Sequence, residues 1–270
     1  MKYNCISDFS YLTIKHFTSF LGSGIVRFGV ESDRGITREI NEDSYKIISG
    51  RDGLPDTFIV ADGMGGHNSG ELASLMAVDL SEEYLLKFFQ PDIDEEGMQS
   101  FICNMMTEVN KSIFSKAKES EENFGMGTTF VIGIFLKAKL FIGHVGDSRV
   151  YLLRNGLLQR LTTDHSYIEE LIKNGSLTRE EAHNHPKKNI ITRALGCEEN
   201  VVIDTYCVDV NEDDIFILCT DGLTNMLSED EILSVINNND DPHYLCSELV
   251  RLANEKGGED NITVIIVKNS

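Results

Sequence analysis

The chain has 270 residues and a net charge of −20, from 24 Lys plus Arg against 44 Asp plus Glu. A chain this long can bury roughly 75 % of its unfolded surface in one or two cores, and its acidity repels nucleic acid and anionic membrane while suiting cations or basic partners. The widely scattered Cys5, Cys103, Cys197, Cys207, Cys219 and Cys246 lack zinc-ligand spacing and read as reduced structural thiols. No apolar run approaches the ~20 residues of a transmembrane helix, and the N-terminus lacks the apolar core of a signal peptide. The expectation is a soluble, cytoplasmic protein that binds neither nucleic acid nor membrane.

Residues 1–24 have no strong period and end in Gly22-Ser23-Gly24, which reads as a variable extension with room for one short helix. IVRFGVESDRG, from Ile25, alternates like a half-buried strand, and SYKII after Asn41-Glu42-Asp43 reads as its partner in a first hairpin. Asp52-Gly53 and Pro55 mark a turn into FIVA, which delivers Asp62 to the glycine-rich loop GMGGHNSG. Asn68 is the expected N-cap of a helix with Leu72, Leu75, Met76 and Leu80 on one face. Phe101, Ile102, Met105, Met106, Val109 and Ile113 mark a second helix.

From Thr128 the period changes to short β runs, TTFVIGIF, KLFIGHV, RVYLLR and LLQRL, whose short links predict an antiparallel meander. Residues 164–196 lose β character and read as a helical flap over the sheet. Strands return at VVIDTYCVDV and IFILCT. Ser228 and Glu231 form a capping box with Leu227 and Ile232 as its staple, Asp241-Pro242 opens another helix, and ITVIIV closes the chain. The alternation predicts an α+β fold of antiparallel sheets with helices packed outside them, in one domain over 25–270.

Three aspartates carry the chemistry. Asp62, Asp221 and Asp260 each lie where an apolar strand meets a polar turn, at the rim of a core where an uncompensated carboxylate is costly. Clustered carboxylates raise one another's pKa unless cations neutralise them, and oxygen-only ligands favour Mg2+ or Mn2+ over zinc. Two such ions about 3.5–4 Å apart can activate a water for in-line attack on phosphorus. Arg38 is the best-placed arginine to grip phosphate oxygens, with a surface ion pair to Glu42 as its other reading. No cysteine has an arginine six residues on, and neither a P-loop nor a G-x-S-x-G elbow occurs. GMGG resembles a dinucleotide turn, but Asp62 before it would repel a pyrophosphate.

SDRG-x-x-R-x-x-NED at 32–43, ADGMGGH-x-x-GE at 61–71, GMGTT at 125–129, GDSR at 146–149, TDHS at 163–166, TRALG at 192–196, TDGL at 220–223 and EDNIT at 259–263 occur in order. Together they strongly resemble the metal-dependent type 2C (PPM) Ser/Thr protein phosphatases in their compact bacterial form. The resemblance implies an αββα sandwich of two antiparallel sheets flanked by helices, and hydrolysis of phosphoserine and phosphothreonine in phosphoproteins. It implies two Mn2+ or Mg2+ ions held by Asp62, the Gly63 carbonyl, Asp221 and Asp260, with Asp43 nearby through water, Arg38 as phosphate clamp and Asp147 as ligand of a weaker third ion. The implied partners are phosphoprotein targets of a Ser/Thr kinase, acted on by a monomer. Asn225 stands where the family usually has an aspartate, which weakens the third ion, and Met64 stands where many eukaryotic members have a histidine general acid. His165 is a loop-anchoring candidate. The alternative is a catalytically silent member acting as a binding or regulatory module.

Overall fold

The computed structural model describes residues 19–21, 24–65, 69–183 and 185–269. Most of the 1–24 extension, and the expected N-cap Asn68, lie outside them. The described residues begin with β1 (Ser19–Leu21), β2 (Gly24–Asp33), β3 (Asp43–Ile48) and β4 (Asp56–Met64). Two long helices follow, α1 (Ser69–Phe88) and α2 (Glu95–Ala117). Next come β5 (Gly127–Thr128), β6 (Phe130–Leu136), β7 (Lys139–Val145), β8 (Arg149–Arg154) and β9 (Leu157–Arg160). The predicted flap holds α3 (Tyr167–Lys173) and α4 (Arg179–His183). β10 (Asp204–Asp209), β11 (Ile215–Cys219), α5 (Asp221–Thr224), α6 (Glu229–Ile236), α7 (Pro242–Glu255) and β12 (Ile262–Asn269) complete the chain.

The strands form two antiparallel sheets, ordered β10-β7-β6-β4-β3 and β1-β2-β12-β11-β8-β9. α1 and α2 cover the first and α5, α6 and α7 the second, which makes the four-layer αββα arrangement. Between the sheets Phe58, Phe135 and Phe216 stack edge to face, with centroids 5.7 and 5.4 Å apart. Strands buried on both faces are the reason that FIVA and IFILC read as continuous apolar runs rather than alternating ones. Among the described residues no helix is long and apolar enough to cross a membrane.

Three local expectations change. β2 and β3 are not a hairpin: β2 pairs with β12 and β3 with β4, so residues 34–42 cross between the sheets. The predicted meander breaks in the same way, because β7 pairs with β6 and β10 whereas β8 pairs with β11 and β9. Stacked sheets lie ~10 Å apart, a gap that three extended residues span, so a short link does not require neighbouring strands. On α1 the buried face is mostly small, with Ala73, Ser74, Ala77 and Ser81 beside Val78 and Leu85, while Leu75 is 48 % exposed. Small residues let the helix backbone approach the sheet, and Leu72, Met76 and Leu80 pack at its flanks.

The helix signals at the C-terminal end are realised. Ser228 and Glu231 form the reciprocal capping box with Leu227 and Ile232 buried beside it, and Asp241 caps α7 with Pro242 in its first turn. After the flap, the loop 196–199 is tied to α2 by Asn110, whose Oδ1 accepts from Gly196 N at 2.8 Å and whose Nδ2 donates to the Glu198 and Glu199 carbonyls. Asn110 is 1 % exposed, so removing its amide leaves the buried Gly196 N–H without a partner and unties the Glu198 and Glu199 carbonyls. Asn110→Ala is expected to lower unfolding free energy by roughly 2–4 kcal/mol. A lower urea midpoint at unchanged m-value is the check.

Candidate metal centre

Asp43 and Asp62 stand directly opposite one another in the β3–β4 ladder. Like charges at such a pair are destabilising, and the surrounding bonds hold the pair in place. Asp62 N donates to Thr129 Oγ1 at 3.0 Å, while Thr129 N and Thr128 Oγ1 donate to the Asp62 carbonyl at 2.8 and 2.9 Å. Asp43 Oδ2 accepts from Thr220 Oγ1 at 2.9 Å and Thr263 Oγ1 at 2.7 Å. The two donors come from the far half of the chain, next to Asp221 and near Asp260.

Asp221 opens α5 directly after β11, and Asp260 precedes β12, so the β11–β12 pairing carries both carboxylates to the same end of the second sheet. Gly222 is required there, since a Cβ would lie 2.0 Å from the Asn261 carbonyl oxygen, and at Gly63 one would lie 2.1 Å from the Gly70 oxygen. Asn261 fastens the loop 34–42 across the site. Its Oδ1 accepts from Glu42 N at 2.8 Å and its Nδ2 donates to the Arg34 and Ile40 carbonyls. That loop brings Arg38 to the rim, where Nη2 lies 2.8 Å from Asp260 Oδ2. The partner is therefore Asp260 and not Glu42.

Desolvation, followed by Asp43, Asp221, Asp147 and Asp260, holds the Asp62 carboxyl well above the usual range. Desolvation raises Asp43 to about 7 against the two threonine hydrogen bonds, and raises Asp221 and Asp147 as well. Asp43 Oδ1 and Asp221 Oδ1 are buried without any donor. Oxygen ligands, mutual repulsion and two orphaned anionic oxygens are the environment that a hard divalent cation satisfies. Among the described residues no three acidic, imidazole or thiol groups form a closed shell around one point. Both Asp260 oxygens are engaged, one by Arg38 and the other by Asn261 N at 2.8 Å.

The structure thus brings Asp43, Asp62, Asp221, Asp260 and Asp147 into one electrostatic group, with Gly63 beside Asp62 and Arg38 at its edge. Asn225 donates Nδ2 to Asp221 Oδ2 at 2.9 Å. His165 anchors the flap: it accepts from Gly146 N through Nδ1 at 3.0 Å and meets Asp204 through Nε2 at 3.1 Å. Its ring packs on buried His144, whose pKa burial lowers to about 3. The supporting Thr129, Thr220, Thr263 and Asn261 received no role from the sequence, although each lies inside a motif quoted above. Thr129 Oγ1 also meets Ser148 Oγ at 2.7 Å, which joins the Asp62 strand to the turn of Asp147.

The family profile described as Protein phosphatase 2C matches residues 36–254. The chain is 41 % identical over 239 residues to a serine/threonine phosphatase stp of Listeria welshimeri, covering 88 % of this chain and 94 % of that one. The fold is similar to the Mycobacterium tuberculosis serine/threonine phosphatase PstP/Ppp, with a TM-score of 0.80 at 32 % identity over 90 % of this chain and 98 % of that one. A PstP catalytic domain in complex with two manganese ions is similar at a TM-score of 0.80 and 30 % identity, over 92 % and 99 % of the two chains.

A carboxyl whose folded pKa is raised stabilises the fold at low pH and loses that contribution as pH rises through the folded value. For Asp43 the window runs from the ordinary carboxylate range up to about 7. Without divalent metal, Asp43→Asn is expected to be more stable than the native chain at pH 8. The gap should shrink by about 1.4 kcal/mol for each pH unit that pH falls through that window. Thermal unfolding of both proteins in chelator between pH 4 and 8 measures it, and added Mn2+ should favour the native chain.

Proposed function

The chain belongs to the protein phosphatase 2C family and is a metal-dependent serine/threonine protein phosphatase, and we propose that Asp62, Gly63, Asp221 and Asp260, with Asp43 behind them, hold its metal ions. The observation that carries this reading is the group of mutually repelling carboxylates with buried, unpartnered oxygens on Asp43 and Asp221. Two Mn2+ or Mg2+ ions bound there would supply a water of lowered pKa as nucleophile and positive charge for the phosphoryl oxygens.

The chain's own groups then have separate tasks. Asp62, held through its backbone by Thr128 and Thr129, presents its carboxylate between the two halves of the site. Asp221 is oriented by Asn225, and the Gly63 carbonyl adds a neutral oxygen. Arg38, already within reach of Asp260, would donate its fork to two non-bridging phosphate oxygens while the phosphorus–oxygen bond to the serine or threonine breaks. Met64 has no proton for the departing alkoxide. Asp147 is the candidate ligand of a third, weaker ion, with Asn225 committing its amide N–H to Asp221 in place of a second carboxylate.

The domain would span 25–270, with residues 164–196 as a flap and 1–24 as an extension. Its partners would be phosphoproteins modified by a Ser/Thr kinase, met by a monomeric enzyme. Cys103, Cys197, Cys207, Cys219 and Cys246 are free thiols, which supports a reducing, cytoplasmic setting.

Hydrolysis of a phosphoserine peptide is expected to stop in chelator and return with Mn2+. Activity undiminished by complete metal removal would refute the mechanism. Asp221→Asn should reduce kcat by more than about 100-fold while circular dichroism stays native, since it removes a ligand rather than a supporting contact. Arg38→Ala should lower kcat/KM by roughly 10- to 150-fold, the value of charge-assisted hydrogen bonds to phosphate.

A further inference from the structure

A cavity of about 940 Å3 lies between the flap and the α5–α6 corner, apart from the carboxylate group. Its wall carries Arg149, Arg160, Lys173, Arg179 and Lys256 against Glu169, Glu229 and Glu231. An excess of positive charge is unexpected in a chain of net charge −20. Much of it is not consumed by the fold. Arg149 is taken by Asp164, with Nη2 to Oδ2 at 2.7 Å, and Lys256 by Glu231 at 2.6 Å. Arg160 meets two buried carboxylates, Asp164 and Glu169, through long contacts of 3.4 Å each, and Arg179 shares Glu169 at 3.4 Å. The Lys173 ammonium has no ion-pair partner among the described residues. The Arg179 side chain is 67 % exposed, and its remaining N–H donors meet no described protein acceptor.

The Lys173 ammonium and the Arg179 guanidinium, with uncommitted donors beside the charge of Arg160 around one cavity, match a phosphate dianion, whose oxygens take several N–H donors at once. The cavity also adjoins the reaction site. Asn225 lines it and donates to Asp221 at 2.9 Å, and Arg149 lies two residues after Asp147. We propose that the cavity is a second phosphate-binding site, in which Arg160, Lys173 and Arg179 hold a phosphate group while another is hydrolysed at the carboxylates. The group would be either a second phosphoresidue of a multiply phosphorylated substrate or free inorganic phosphate. The substrate form rests on the phosphatase reading above.

The test uses the full, Mn2+-loaded chain and Lys173→Gln combined with Arg179→Gln. Two peptides of one sequence are compared, one with a single phosphoserine and one with a second phosphoserine roughly two to eight residues away, a separation of up to about 30 Å. Expected is a KM about tenfold higher for the doubly phosphorylated peptide alone, with kcat unchanged, from the loss of two charge-assisted contacts. Unchanged turnover of the singly phosphorylated peptide shows that the fold and reaction site are intact. Lys173→Arg with Arg179→Lys should restore the native KM. In parallel, calorimetry with inorganic phosphate should find two sites in the native chain and one in the glutamine variant. A rise in KM assigns the substrate's own second phosphate, and a drop in stoichiometry without it assigns free phosphate. No change in either overturns the proposal. Failure of the native chain to hydrolyse either peptide would instead count against the phosphoprotein reading.

Discussion

Repulsion between carboxylates is the constraint on which the rest of the molecule depends. Asp43 and Asp62 oppose each other across β3 and β4, and Asp221, Asp260 and Asp147 add to the same field. Such an arrangement costs stability unless a cation or protonation neutralises the charges, and it persists only where rigid bonds prevent the side chains from parting. The protein has the rigid part in hand. Thr128 and Thr129 bind the backbone of Asp62, Thr220 and Thr263 bind Asp43, and Asn261 pins the loop of Arg38.

The four-layer fold makes that pinning affordable. Each sheet is buried on both faces, so its strand ends are fixed by packing on either side, and charged residues can be mounted there without loosening the core. Asp43 ties the two sheets together, since it belongs to the first and takes its hydroxyl donors from Thr263 in β12 and from Thr220 just past the end of β11. The same carboxylate is thus a structural clasp through Oδ2 and a source of unbalanced charge through Oδ1. The flap is joined to this frame at its base, where His165 bridges the turn before Asp147 to Asp204 and Thr128 pairs with Leu195.

Much of this was legible from residue patterns. The alternation of Ile25 to Asp33, the stripe from Phe101 to Ile113, and the capping box at Ser228 each encode a local structure that tertiary packing does not override. The failures have two causes. Link length alone cannot tell whether a three-residue turn stays within a sheet or steps to the sheet stacked behind it, so the β7–β8 link has the sequence of a hairpin and the structure of a crossing. On α1, leucines and methionine outweigh alanine and serine in any apolarity count, yet the small residues face the sheet because close approach matters more there than side-chain volume.

The primary sequence by itself determined the local elements, the chemistry of an oxygen-only acidic site and the family to which the chain belongs, because these follow from residue type, period and spacing along one strand of text. Tertiary structure alone decided which groups meet. Asp43 faces Asp62, Arg38 pairs with Asp260 instead of Glu42, and Thr220 and Thr263 cross from the second sheet to bind a carboxylate on the first. The basic cavity between the flap and α5–α6 likewise draws its cations from 149 to 256. Contacts between residues some two hundred positions apart depend on how two sheets stack, and no pattern local to either segment specifies that.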